Sequence, residues 1–190
     1  VCRHLGYLGP ARSVGDVLTA GTSSLMQQSW APRDMRGGGT VNADGFGAAW
    51  WTDDGVGHYR NPMPIWTDPA VTDALTSVRS TAVVAAIRSA TVGMPVDRSS
   101  SDSQEPGEAL AGLVRDVDAA APGSRLNLLL SDGRTLWATA VHHALSVRVD
   151  GASAVVASEP TDDDADWRSV PDRSIVTAAA GSLDITPLDR

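Results

Sequence analysis

Cys2-Arg3-His4-Leu5-Gly6-Tyr7-Leu8 places the only cysteine of the chain at the head of an apolar run, one residue from the start. The run predicts a short buried strand that breaks at Gly9-Pro10, a dipeptide that punctuates extended structure. A thiol at the head of such a strand can use its own freed α-amine as base, an established route to covalent catalysis. That chemistry needs Cys2 to be the first residue of the mature molecule. Alanine is abundant and all 15 basic residues are arginine. This composition fits a GC-rich gene, so Val1 is expected to record a GTG start codon, with the initiator methionine removed ahead of the small Cys2. The plain alternative is a cysteine acting as a small buried hydrophobe.

Working outward, 190 residues suit one domain, 1–190, with a sizeable core. A formal net charge of -8 without any basic cluster argues against nucleic-acid or anionic-membrane surfaces, which need concentrated positive potential. A small molecule is the expected partner, and oligomeric state stays open. One cysteine cannot form an internal disulfide, and the start has no basic region followed by a long apolar stretch, so a cytoplasmic location is expected. No run is long enough to span a bilayer. The absence of lysine removes Schiff-base chemistry and a lysine-bearing phosphate loop.

Ser13 to Leu18 predicts a brief helix capped by Ser13. Arg33 to Gly45 reads as a long loop, followed by a hairpin of Phe46–Trp51 and Val56–Arg60 around Asp53-Asp54-Gly55. Val71 to Val78 predicts a helix, and Val83 to Arg88 a strand buried on both faces. Residues 98–107 are polar and include three consecutive serines, the pattern of a link or loop. Glu108 to Ala120 then has helical apolar spacing, with Pro122-Gly123 as its stop. Strands are expected at Arg125–Leu130, Leu136–Val141, Ala144–Val149 and Ala154–Ala157, and around Ile175 and Leu183. Strands and helices without regular βαβ alternation predict an α+β layered domain with mainly antiparallel sheets.

Four motifs stand in order along nearly the whole chain: Cys2-Arg3-His4, Asn42-Ala43-Asp44-Gly45-Phe46-Gly47, Arg88-Ser89-Ala90-Thr91-Val92-Gly93-Met94-Pro95, and Ala157-Ser158-Glu159-Pro160 before the Asp162 cluster. Together they resemble the class II glutamine amidotransferases, which are N-terminal-nucleophile hydrolases. Within that class they are most similar to the amidohydrolases of ergothioneine biosynthesis, which remove the γ-glutamyl group from γ-glutamyl-hercynylcysteine sulfoxide. The resemblance implies a four-layer αββα sandwich and a γ-glutamyl amide hydrolase with Cys2 as nucleophile and base. It also implies that Arg88 holds the substrate α-carboxylate and that Ser89, Thr91 and Val92 line the γ-glutamyl pocket. A planar guanidinium fork suits a carboxylate, although an arginine at a strand end also serves as a structural ion pair. The chemistry requires no metal and no organic cofactor.

The resemblance breaks at one place. The family's Asn-Gly oxyanion pair and the acidic residue for the substrate α-amine have no counterpart between Pro95 and Glu108. A loop or deletion junction is therefore expected at 98–107, where a segment has either been lost from the gene or been left out of the recorded sequence. The alternative function is an impaired scaffold that binds a ligand or partner without turnover.

His4 falls on the same face of the opening strand as Cys2, which leaves a Cys-His pair as the runner-up mechanism. His142 and His143 are expected on opposite faces of a strand. Asp162, Asp163, Asp164 and Asp166 lack calcium-loop spacing and read as a solvated loop. The six tryptophans read as packing, with an aromatic wall for a trimethylammonium group as the alternative.

Overall fold

The opening run becomes the central strand of a wide sheet. The structure, a computed structural model, describes residues 2–34, 41–88 and 105–188. Strand β1 (Arg3–Ser13) pairs antiparallel with β4 (Arg79–Ile87) on one side and β8 (Ala154–Ala157) on the other. Beyond β4 lies the hairpin of β2 (Phe46–Thr52) and β3 (Gly55–Asn61). Beyond β8 lie β7 (Ser146–Val149) and β9 (Arg168–Ser169). The order across this sheet is β3-β2-β4-β1-β8-β7-β9. A second, four-stranded sheet has the order β11 (Ser182–Pro187), β10 (Ser174–Ala179), β6 (Leu136–Ala140) and β5 (Leu129–Ser131).

Strand alternation sends successive side chains into different layers. Leu5, Tyr7, Val83 and Ile87 pack under the short helices α1 (Val14–Thr19), α2 (Leu25–Gln28), α3 (Pro69–Thr72) and α4 (Ala74–Ser77), against Val14, Leu18, Leu25 and Val71. Leu8, Ala82 and Val156 face Leu136, Ala138 and Val176 of the second sheet. Helix α5 (Pro106–Ala120) closes the far side through Val114 against Leu126, Val141 and Leu188. The layers run helix, sheet, sheet, helix, the αββα sandwich expected above. Gly6 sets how closely the sheets approach, because a Cβ there would stand 2.8 Å from Leu136 Cδ2.

Several elements depart from their expected bounds. β1 runs through Gly9-Pro10 to Ser13: its register with β4 shifts between Leu8 and Arg12, and this bulge absorbs the proline that cannot donate to the ladder. The helix expected over Val71–Val78 is two single turns meeting at Asp73. The strand expected from Arg125 starts only at Leu129, because the Thr139 side chain intercepts the ladder. Its hydroxyl donates to Leu126 O (2.6 Å) and accepts from Leu128 N (3.0 Å). Of the link expected at 98–107, residues 98–104 lie outside the described residues, and Pro106-Gly107 open α5. β4 is not buried on both faces along its length. Val83, Ala85 and Ile87 are covered by helices, whereas Ala86 on the opposite face is exposed. Among the described strands, β5 ends the second sheet above β1 and β4, and the seven-stranded sheet extends past it.

Candidate active site

Cys2 is exposed and stands one residue ahead of β1. The β1–β4 ladder pairs Arg3 with Ile87, so the next step outward sets Cys2 abreast of Arg88. Arg88 is itself fixed by β2's lead-in: its N–H donates to Gly45 O (3.0 Å) and its carbonyl accepts from Asp44 N (3.1 Å). Gly45 has φ +113, and a Cβ there would meet Asn61 O at 2.8 Å, so this junction requires glycine. Alternation gives Cys2 the face of His4, and Arg88 the face of Ala86. Both faces are the inner one, toward the second sheet. The half-buried Arg88 side chain has no ion-pair partner among the described residues and lines a cavity of about 520 Å³ with Asp44, Arg60 and Asn61. Cys2 and Arg88 are thus brought together, while Ser89, Thr91 and Val92 lie outside the described residues, as does Val1.

The neighbour of the thiol is a buried cation that the sequence reading left without a role. Arg3 is 1% exposed, and its Nε donates to Glu159 Oε1 at 3.0 Å, with Glu159 2% exposed. Nη2 donates to the Asp34 carbonyl, and Nη1 lies 3.4 Å from His143 Nε2. The second Glu159 oxygen accepts from Arg33 N at 2.7 Å. Burial, followed by the Arg3 charge, lowers the pKa of His143, which suits a neutral ring accepting from Arg3. This network ties the first residue of β1 to the chain leaving β8 and to the 33–34 loop. A charge in an opening strand demands a counterion, and Glu159, at the exit of an apolar strand, was the available signal.

His4, one residue further in, is also buried. Its backbone N–H donates to Ser158 Oγ (3.0 Å), and its Nδ1 lies 3.4 Å from the same oxygen. Its Nε2 is buried with no hydrogen-bond partner among the described residues. Burial, then His143, then Arg3 lower its pKa from 6.5 to about 4. A ring so reluctant to take a proton makes a poor base, which argues against the Cys-His runner-up. His4 lines a second cavity of about 390 Å³, floored by Gly47, Val84 and Ala86 and bounded by Leu129 of β5 and by Asn127 in its lead-in. The two cavities share Gly47, Arg60 and Ala86 and so form one groove along the inner face of β4, β2 and β3. Cys2 is in the wall of neither cavity; it stands at the end of the adjoining strand.

The remaining candidates take structural places. His142 and His143 sit in the turn after β6, with His142 at φ 59, and not in a strand as expected. Asp162 and Asp164 bind Arg148 Nη1 at 3.1 and 3.0 Å, and that guanidinium lies 5.0 Å over the Trp167 ring. Among the described residues no cluster of His, Cys, Asp or Glu is placed to hold a metal ion. Trp30 and Trp66 form an exposed edge-on pair with centroids 5.6 Å apart. No described helix is long and apolar enough to cross a membrane.

No family model matches the chain. Individual proteins do. The γ-glutamyl-hercynylcysteine sulfoxide hydrolase of Mycolicibacterium smegmatis is 34% identical, in an alignment covering 99% of this chain and 100% of that protein. The protein of the same name from Mycobacterium tuberculosis H37Rv is 33% identical, over 100% of this chain and 98% of its own. The chain belongs to the γ-glutamyl-hercynylcysteine sulfoxide hydrolase family. As in that family, it is an amidohydrolase. The first alignment runs over 230 positions against the 190 residues here, so about 40 positions of that hydrolase have no counterpart in this family member. Solved structures agree on the fold. A class II glutamine aminotransferase domain protein from Silicibacter pomeroyi superposes with TM-score 0.65 at 20% identity, covering 99% of this chain and all of that one. The glutamine phosphoribosylpyrophosphate amidotransferase of B. subtilis gives 0.58 at 12% identity over 98% of this chain, which spans 49% of that larger protein.

Proposed function

We propose that this family member hydrolyses the γ-glutamyl amide of γ-glutamyl-hercynylcysteine sulfoxide through a thioester on Cys2. The observation that carries the reading is an exposed thiol at the head of the central strand, abreast of an arginine whose guanidinium has no ion-pair partner among the described residues. Arg88 holds the α-carboxylate of the glutamyl group in a bidentate grip, which places the γ-carbonyl over the thiol. The Cys2 α-amine, freed by removal of the residue ahead of it, takes the thiol proton as sulfur adds to the carbonyl. The resulting ammonium returns that proton to the departing amine as the C–N bond breaks. Water activated by the same amine then cleaves the thioester and releases glutamate. Ser89, Thr91 and Val92, which follow Arg88 in the chain, complete the glutamyl pocket in this proposal.

The test is glutamate release from synthetic γ-glutamyl-hercynylcysteine sulfoxide, followed by mass spectrometry alongside amino-terminal sequencing. Wild-type protein beginning at Cys2 turns over, and Cys2→Ala, folded by circular dichroism, does not. Turnover by Cys2→Ala overturns the mechanism. Binding without any release by the wild type gives instead the ligand-binding scaffold, the reading favoured by the about 40 alignment positions with no counterpart here.

A further inference from the structure

Addition of the thiol moves the carbonyl π pair onto oxygen, and that oxyanion needs a donor waiting for it. The family's Asn-Gly pair has no counterpart in this sequence, so a donor is sought among the described residues near Cys2. Asn127 is committed, with its Nδ2 donating to Ala144 O (2.9 Å) and its Oδ1 accepting from Val141 N (3.0 Å). Arg60 and His58 line the groove three strands away from β1. His4 is different. It shares the inner face with Cys2, about 6.6 Å along the same strand, within the combined reach of an imidazole and a thioester.

The hydrogen-bond network assigns its tautomer. Ser158 Oγ accepts the His4 backbone N–H, and its own hydroxyl proton has no acceptor among the described residues other than His4 Nδ1, 3.4 Å away, which makes Nδ1 the acceptor of that contact. Nδ1 therefore carries a lone pair, and the ring proton sits on Nε2. That N–H is buried and has no partner among the described residues, in a side chain that lines the groove. Buried donors are normally bonded, and an exception calls for a reason.

We infer that His4 is a further catalytic residue, whose ring turns into the groove as substrate enters, so that Nε2–H, buried in the free protein, donates to the substrate carbonyl oxygen as it becomes the oxyanion of the tetrahedral intermediate. The inference rests on the thioester reading above. In the step, the Sγ–C bond forms, the π electrons move to oxygen, and the oxygen accepts the His4 hydrogen bond while the ring keeps its proton. Collapse of the intermediate restores the carbonyl, breaks the C–N bond and sends the ammonium proton to the leaving amine. A ring that stays neutral is suited to this role, because it donates without titrating across the working range.

Three variants test the inference, each checked for folding by circular dichroism and for Cys2 reactivity by its rate of iodoacetamide alkylation. His4→Phe lowers kcat by about 10²–10³ with KM within twofold, the loss expected for one oxyanion donor. His4→Gln, which keeps an N–H donor, recovers at least about tenfold of that loss. Ser158→Ala keeps the imidazole but frees its tautomer, and lowers kcat by about tenfold. A 15N spectrum of the wild-type imidazole shows the proton on Nε2. The inference is overturned if His4→Phe keeps kcat within about threefold, if Gln restores nothing, or if alkylation falls in step with kcat. Absence of wild-type turnover overturns the thioester reading together with this one, whereas turnover undiminished in His4→Phe overturns this one alone.

Discussion

Replacing Glu159 by glutamine keeps the shape of the side chain and removes its charge, leaving Arg3 as a cation 1% exposed with no ion-pair partner among the described residues. Breaking one partner of a buried pair costs about 3–5 kcal/mol, because the remaining charge keeps its desolvation penalty. Arg33 N–H can still find an amide oxygen at the same place, so no further loss is added there. Against a total stability of about 5–15 kcal/mol for a domain, the variant is expected to lose a fifth or more of its margin. In a chain of this length each kcal/mol lowers Tm by about 2–4 °C, so a fall of roughly 6–20 °C is expected. The assay is urea unfolding followed by tryptophan fluorescence, with calorimetry for Tm. The double variant Arg3→Met/Glu159→Leu, which buries no charge, should be more stable than Glu159→Gln. A loss below about 1 kcal/mol in Glu159→Gln refutes the idea that this pair is a dry, mutually dependent unit, and so does a double variant weaker than the single.

Arg88→Lys should raise KM at least about tenfold with a smaller change in kcat, since a point charge cannot reproduce the fork; an unchanged KM makes Arg88 a structural residue. His4 binds a proton at pH 6.5 when unfolded but only at about 4 when folded. Its contribution is complete above pH 6.5 and is lost as pH falls toward 4, by up to about 3 kcal/mol. The stability difference between wild type and His4→Phe should shrink over that window in parallel denaturation curves, and a constant difference contradicts the buried neutral ring. Gly6→Ala should destabilise by about 1–3 kcal/mol in urea, because its Cβ would press on the buried Leu136; a neutral result means the sheets have slack there.

The apolar alternation and turn residues made most of the layers legible, and the four ordered motifs pointed to the family. What failed had physical causes beyond local pattern. Gly9-Pro10 looks like a stop, but a bulge held by strands on both sides carries β1 through it. Thr139 fits the period of a strand, yet its hydroxyl replaces ladder bonds with β5's lead-in. His142 and His143 follow a strand pattern although a left-handed residue at 142 turns the chain. At the site, Cys2 and Arg88 were readable because their motifs are distinctive. Arg3 with Glu159, and His4 with Ser158, were not, because each depends on a partner more than 150 residues away in the chain.

The width mismatch between the sheets also bears on how the protein behaves in bulk. Among the described residues, β5 offers a short unpaired edge with Leu130 exposed, and β3 presents Val56 to solvent. Strand edges beside greasy ground invite neighbouring molecules to stack, and mutual repulsion is what discourages them. At neutral pH a net charge of -8 supplies that repulsion, but it vanishes near the isoelectric point of about 4.8. The same mildly acid range loosens His4, so colloidal and conformational weakness coincide. Turbidity and light scattering should rise steeply there, making acidification the most hazardous step in handling the purified enzyme.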